Sequence, residues 1–451
     1  MFTRYTYQDL IPVRQRDLPD FCLKCVESYR GSSEFRRALE ASDYFCGRNR
    51  QIMQKYLLRA DVQTETDERG RTRRSVRNVR VKGNQLPSSF FRKAVLQLSQ
   101  YLLGNGVILR SAEDKERLGP GFDKALEEMG QQALVQGVCW GFFNLDHLEV
   151  IPAAGSSLCG FVPLYDEENG EPGAGIQFWQ IDEDRPLRLR LFERSGVTLM
   201  SFHEGKLLSR GTKMPYVSTP NEEAPEWPFL PVIPLYANNE KESELTPAIK
   251  RKIDAYDNIL SDLGNNLDRA NDVYWVLNNF GGEMQQALEV QEQINRLKMV
   301  ISRNDLGTGP ASAEAHTVEV PYEARRTALN ILHKQLYADF MALDMESVTG
   351  GSLTNVAIRA AMSDLDLKCS GFEWQCFRFV QRVLALNGVT TEEVVFRRQS
   401  ISNAHETVQD IYLMRGDIDR RAALEMNPYI DQDTAERLLK NSENEKEEKT
   451  R

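Results

Sequence analysis

Apolar positions along the chain change their period twice. Over residues 17–56 they recur at steps of three and four, with Leu18, Phe21, Cys25 and Tyr29 on one face, which predicts helix. Residues 87–103 repeat the pattern through Phe91, Val95, Leu98 and Leu102. Pro87 suits a first turn there, and Gly104 the position after the end. From about 145 to 235 the period falls to two. Leu187, Leu189 and Leu191 alternate with Arg188 and Arg190, and short apolar runs around Val162, Phe178, Leu199 and Leu207 are parted by Asn169-Gly170 and Pro172-Gly173. An antiparallel meander packed on the preceding helices is predicted.

Beyond this region the helical period returns and sharpens. Ile249, Ile253, Tyr256, Leu260, Leu263, Leu267, Ala270 and Tyr274 fall at alternating steps of four and three. That is the 3.5-residue seam of a helix packed lengthwise against another helix. At 1.5 Å per residue the rod is roughly 40 Å long. Its other side carries Lys250, Arg251, Asp254, Asp257, Asp262 and Asp268, and reads as an open polar face. A strand over 273–277, a break at Gly281-Gly282, a helix over 284–298 and strands over 298–303 and 316–320 make a small α/β module. A second rod of similar length follows over 322–343, striped by Ala328, Leu332, Leu336, Phe340 and Leu343. Two rods flanking a compact module predict a hairpin with the module at its tip.

The run MESVTGGSLTN (345–355) interrupts the helical pattern, since Gly350-Gly351 cannot sustain a helix and Ser352 or Thr354 can cap the next one. That next helix, over about 355–386, shows Ala357, Ala361, Leu365, Phe372, Cys376, Phe379, Val383 and Leu386 on one face, with Gly371 as a point where it could kink. Unbroken, it is about 50 Å long. A strand near 394–397 and short helices parted by Gly416 and Pro428 complete an α+β chain whose charged last residues are expected to fray.

Composition adds exclusions. No run reaches the roughly 18 apolar residues of a membrane span, and the N-terminus lacks a signal peptide's apolar core, so the chain is expected to stay in the cytoplasm where it is made. The net charge of −10 makes the chain a poor candidate for gripping phosphates; it fits a surface past which DNA slides and an ordinary soluble protein alike. Residues 63–83 are basic, with Arg69, Arg71, Arg73, Arg74, Arg77, Arg80 and Lys82; a solvated hairpin and a contact for nucleic acid or an acidic partner both fit. Cys22 and Cys25 form a single CxxC with no second pair and no neighbouring histidines, so the seven cysteines read as reduced structural thiols rather than a zinc site.

Catalytic patterns are missing as well: there is no GxxxxGK[ST], GxSxG or HExxH. Asp364 and Asp366 lie two apart in a helix and point to different faces, Asp431 and Asp433 have no converging partner, and His147, His203, His316, His333 and His405 are dispersed. No enzyme activity, cofactor or metal is expected.

Several stretches, in one order, resemble the portal proteins of tailed double-stranded DNA bacteriophages, in particular the family of long-tailed phages. SELTPAIKRKIDAYDNILSDLGNNLDRANDVYWVLNNFGG (243–282) is similar to the stem region, LPSSFFRKAVLQLSQYLLGNGV (86–107) to a wing helix ending in a YLLG turn, and VEVPYEARRTALNILHKQLYADF (318–340) to the second stem helix. VTGGSLTNVAIRAAMSDLDLKC (348–369) resembles the tunnel loop with its following helix, and RGDIDRRAALEMNPYIDQDTAERLL (415–439) the C-terminal helices. The arginine-rich 63–83 segment looks like an elaboration on this pattern.

The resemblance implies a wing over 1–243 and 354–402, stem helices over 244–271 and 322–343, a clip over 272–321, a tunnel loop over 344–353 and a helical crown over 403–451. It implies a DNA-channel loop of Asp344, Glu346, Ser347, Thr349, Gly350, Gly351 and Ser352, and a stem packing seam of Ile249, Ile253, Tyr256, Leu260, Leu263 and Leu267. It further implies a homo-oligomeric ring, dodecameric in the virion, at one capsid vertex. Double-stranded DNA passes through that ring without sequence specificity, and the partners are the terminase large subunit, a head-completion or adaptor protein, scaffold and major capsid protein. The alternative is another virion structural protein, such as a head–tail adaptor or minor capsid component.

Overall fold

A computed structural model describes residues 4–66, 72–144, 147–156, 158–216, 226–269, 273–278, 312–317, 322–345, 355–389, 393–399, 404–414 and 419–425, with positions 427, 430, 437 and 439. In chain order its helices are α1 (Tyr7–Leu10), α2 (Leu18–Arg30), α3 (Ser33–Phe45), α4 (Arg50–Met53), α5 (Phe90–Leu103), α6 (Ala112–Arg117), α7 (Phe122–Gln136), α8 (Pro247–Arg269), α9 (Tyr322–Phe340), α10 (Asn355–Leu386), α11 (Ala404–Leu413) and α12 (Arg420–Glu425). Its strands are β1 (Tyr56–Thr66), β2 (Thr72–Lys82), β3 (Val107–Leu109), β4 (Val138–Asn144), β5 (His147–Pro152), β6 (Ala154–Ser156), β7 (Cys159–Tyr165), β8 (Pro172–Trp179), β9 (Leu187–Glu193), β10 (Gly196–His203), β11 (Lys206–Arg210), β12 (Val232–Tyr236), β13 (Val273–Asn278), β14 (Ser312–Thr317) and β15 (Val394–Phe396). They divide into two compact units. One comprises Met1–Cys46, Phe90–Thr246 and Tyr337–Arg451; the other comprises Gly47–Ser89 and Pro247–Leu336.

The first unit is built on the meander. Strands β6 to β11 are hydrogen-bonded antiparallel in sequence order. The period-two pattern sets the faces: Leu189 and Leu191 are buried while Arg188 is exposed. Leu164, Ile176, Phe178, Leu189, Leu191 and Phe202 form a core with Cys22, Cys25, Val26 and Tyr29 of α2 and Phe35 and Ala38 of α3. The Cys22–Cys25 pair is thus core: burial pushes both thiols up, Cys25 to about 12, so they stay protonated near neutral pH. Helix α3 starts where the Ser32 hydroxyl accepts from the Phe35 amide at 3.1 Å. A second antiparallel sheet, ordered β12-β4-β5, buries Trp140, Ile151 and Val232 with Phe161 and Phe192.

Helix α10 runs unbroken through Gly371 and turns Ile358, Met362, Leu365, Phe372, Cys376, Phe379 and Val383 inward. Its contact with α5 and α7 is close, because a Cβ at Gly130 would lie 2.6 Å from Leu103 and 3.3 Å from the Phe372 ring. Strand β15 pairs with β3. The expected first turn at Pro87 lies ahead of the helix, which begins at Phe90.

The second unit joins α4, the β1–β2 hairpin, α8, the β13–β14 pair and most of α9. The basic segment is mainly the returning strand of that hairpin, registered from Tyr56 opposite Lys82 to Thr66 opposite Thr72. The strand expected at 316–320 lies at Ser312–Thr317, paired with Val273–Asn278. The helix expected over 284–298 and the strand over 298–303 fall outside the described residues.

Candidate functional site

Helix α8 carries the long seam, and its cover thins toward the C-terminus. Ile249 and Ile253 are buried, Tyr256, Leu260 and Leu263 are half-buried, and Leu267 is 53% exposed. Along α9, Leu336 is buried and Ile331 is 51% exposed.

The opposite side of α8 departs from the expected open polar face. Asp254, Asp257, Ser261 and Asn265 are buried. Asp254 pairs with Lys250 at 3.4 Å; along the other three lies a strap, residues 83–89, that supplies backbone donors. The amide of Ser88 donates to Asp257 Oδ1 at 2.9 Å, that of Leu86 to Ser261 Oγ at 3.0 Å, and that of Asn84 to Asn265 Oδ1 at 2.7 Å. Asn49 Nδ2 donates to Asp257 Oδ2. Burial raises the Asp257 carboxyl above its ordinary range, against the lowering effect of these hydrogen bonds. Asp262, paired with Lys55 at 2.7 Å, and Asp268, accepting from Asn84 Nδ2 at 2.6 Å, remain accessible. Among the described residues, α8 therefore buries a polar stripe through Asp257, Ser261 and Asn265 and leaves Leu267 of its apolar seam exposed.

The second place is the end of α9 and the residues up to Met345, in the first unit. Helix α9 ends in a Schellman motif: the Met341 amide donates to Ala338 O and the Ala342 amide to Tyr337 O, both at 3.0 Å. Met341 occupies the left-handed position at φ 51°, where glycine is usual. Lys368 of α10 adds a cap, donating to Phe340 O at 2.9 Å while pairing with Glu244 at 2.6 Å. Phe340 stacks on Phe91, and Tyr337 meets Phe90 edge-on. Gln97 then grips the Leu343 backbone in both directions, accepting from its amide at 3.0 Å and donating to its carbonyl at 3.3 Å. Beyond this clamp Asp344 is half-buried and Met345 52% exposed. Glu346, Ser347, Thr349, Gly350, Gly351 and Ser352 lie outside the described residues, and the chain resumes as α10.

A third cluster anchors α10. Arg398 bonds Asp366 at 3.0 Å and Glu373 at 2.5 Å, and Tyr101 donates to Asp366 at 2.6 Å. Burial and this acceptor push the Tyr101 phenol up to about 12. Asp366, one half of an acidic pair in the sequence, is thus engaged structurally. Gln97, Lys368, Arg398 and Asn49 escape pattern reading because each acts through single polar atoms across long sequence separations. Among the described residues no group of three or more histidine, cysteine or acidic side chains is placed to hold a metal, and no helix is long and apolar enough to cross a membrane.

Comparison with known proteins places this arrangement. A family model described as phage portal protein, SPP1 Gp6-like, matches residues 27–448. The portal protein of Clostridium phage phiCD119 is 26% identical over 217 residues, 46% of this chain and 48% of the relative. That of Bacillus phage SPP1 is 25% identical over 238 residues, 49% of this chain and 46% of the relative. The chain thus aligns with about half the length of each of these curated relatives.

Proposed function

This chain belongs to the SPP1 Gp6-like phage portal protein family, and from that premise we propose that it is one subunit of a ring at the capsid vertex through which double-stranded DNA enters and leaves. The single observation that carries the proposal is the packing of α8, which buries Asp257, Ser261 and Asn265 within its own unit while Leu260 and Leu263 are only half-buried and Leu267 is exposed. In a ring, a neighbouring copy covers that seam and removes its apolar area from water. Helices α8 and α9 form the stem under this reading, and residues 272–321 between them the clip.

Residues 344–353 form the tunnel loop that follows the moving duplex. The clamp at Leu343 holds one end of it, and α10 the other. The chain supplies a conduit and a docking platform rather than catalysis. The terminase large subunit docks on the clip during packaging, head-completion proteins replace it there, and scaffold and major capsid protein contact the outer parts. Assembly takes place in the host cytoplasm, and the dodecamer is the form in the virion.

Electron microscopy of the purified protein tests the ring. Annular particles with a central opening are expected, and a population of compact monomers at every concentration would end the proposal.

A further inference from the structure

The strap and α8 meet through a match of two periods. Along an extended segment, every second amide points to the same side, about 6.6 Å apart. Along a helix, every fourth side chain stacks above the last, about 6.0 Å apart. Asn84, Leu86 and Ser88 present their amides at the first spacing, and Asn265, Ser261 and Asp257 present oxygen acceptors at the second, in opposite chain directions. The three acceptors are almost wholly buried. The other leg of the same insertion is tied to the same helix through Asn49 to Asp257 and Lys55 to Asp262. Gln85 joins the two legs by donating to the carbonyls of Met53 at 3.1 Å and Lys55 at 2.9 Å.

We propose that this ladder is a register lock that fixes both legs of the β1–β2 hairpin on α8, so that the legs and the helix move as one body. Two features set the register. A slip by one residue turns every strap amide away from its acceptor. A slip by two brings Val81 or Gln85 to the place of Gly83, where a Cβ would run into the Leu57 side chain and lie 2.7 Å from Asn265 Oδ1. The lock is independent of the ring: it acts within one chain.

Hydrogen exchange of the full-length protein, read by mass spectrometry, tests it. In the wild type, peptides covering 83–89 are expected to be protected. Ser261→Ala should accelerate exchange at Leu86 by about 2- to 12-fold, the loss of one net hydrogen bond. The acceleration should spread to Asn84 and both hairpin legs and leave the β6–β11 sheet unchanged. Asn265→Leu, which removes the acceptor, should accelerate exchange at Asn84 in the same way. Strap amides that exchange like unstructured chain in the wild type would overturn the lock, as would a Ser261→Ala protein with Leu86 unchanged or with exchange raised evenly everywhere.

Discussion

Asp257 shows how one side chain can be both anchor and liability. It sits at the start of the strap contact, accepts from Ser88 and Asn49, and is removed from water. Because burial raises its pKa, the folded state holds the proton more tightly than the unfolded chain does. The stability from that protonation is fully present below the ordinary carboxylate range of about 4 and is lost as pH rises through the raised value. Asp257→Asn cannot ionise yet keeps an acceptor for the Ser88 amide. Its stability relative to wild type is therefore expected to improve from pH 4 to pH 7, while Asp257→Leu should cost about 1–3 kcal/mol at both, because it orphans buried donors. Denaturation midpoints of the three proteins at the two pH values check this. A gap between wild type and Asp257→Asn that does not change with pH would remove the titration argument.

At the scale of elements, the pattern of apolar positions reveals whatever buries apolar area. The long helices α5, α8, α9 and α10 and the alternating strands all announce themselves in this way. The strap does not, because an extended segment held by its backbone amides leaves no periodic trace. For the same reason Asp257 reads with the charged face opposite the seam, and Ser261 and Asn265 give no signal: a polar position looks the same whether it meets water or a strand of amides. Between residues 104 and 144 the pattern reading assigns no element, yet β3, α6, α7 and β4 lie there. Gly121, Gly130 and Gly137 punctuate α7, and Gly130 is buried at a helix crossing, so its most informative position carries no side chain to read.

The seam of α8 makes a prediction that separates fold from assembly. Leu263→Asp places a carboxylate where the single chain leaves the side chain half-covered. It should shift the melting temperature of the monomer only slightly, yet abolish rings, since burying an unpaired charge between subunits costs several kcal/mol. Ile253→Asp, at a position 1% exposed, should instead damage the fold itself. Native mass spectrometry beside thermal melting distinguishes the two. Undiminished rings from Leu263→Asp would show that the seam does not lie between subunits.

For the whole molecule, the proposed ring makes the charge met by a passing duplex the decisive quantity. DNA carries about one charge per 1.7 Å, so a channel rich in fixed cations would bind it salt-dependently and hold it. A chain of net charge −10 avoids that trap. In the proposed ring, guidance is then assigned to the segment that follows the Leu343 clamp. Its flanks are fixed without it. Gln97 holds Leu343, the Schellman turn and Lys368 close α9, and Arg398 secures α10 through Asp366 and Glu373. Deleting Ser347–Ser352 is therefore expected to leave the melting temperature and ring yield near wild type. Under the proposed tunnel-loop role it should sharply lower the DNA content of assembled heads in a packaging assay. Heads that fill normally with the deleted protein would take the loop out of the translocation path and return it to the role of a connector.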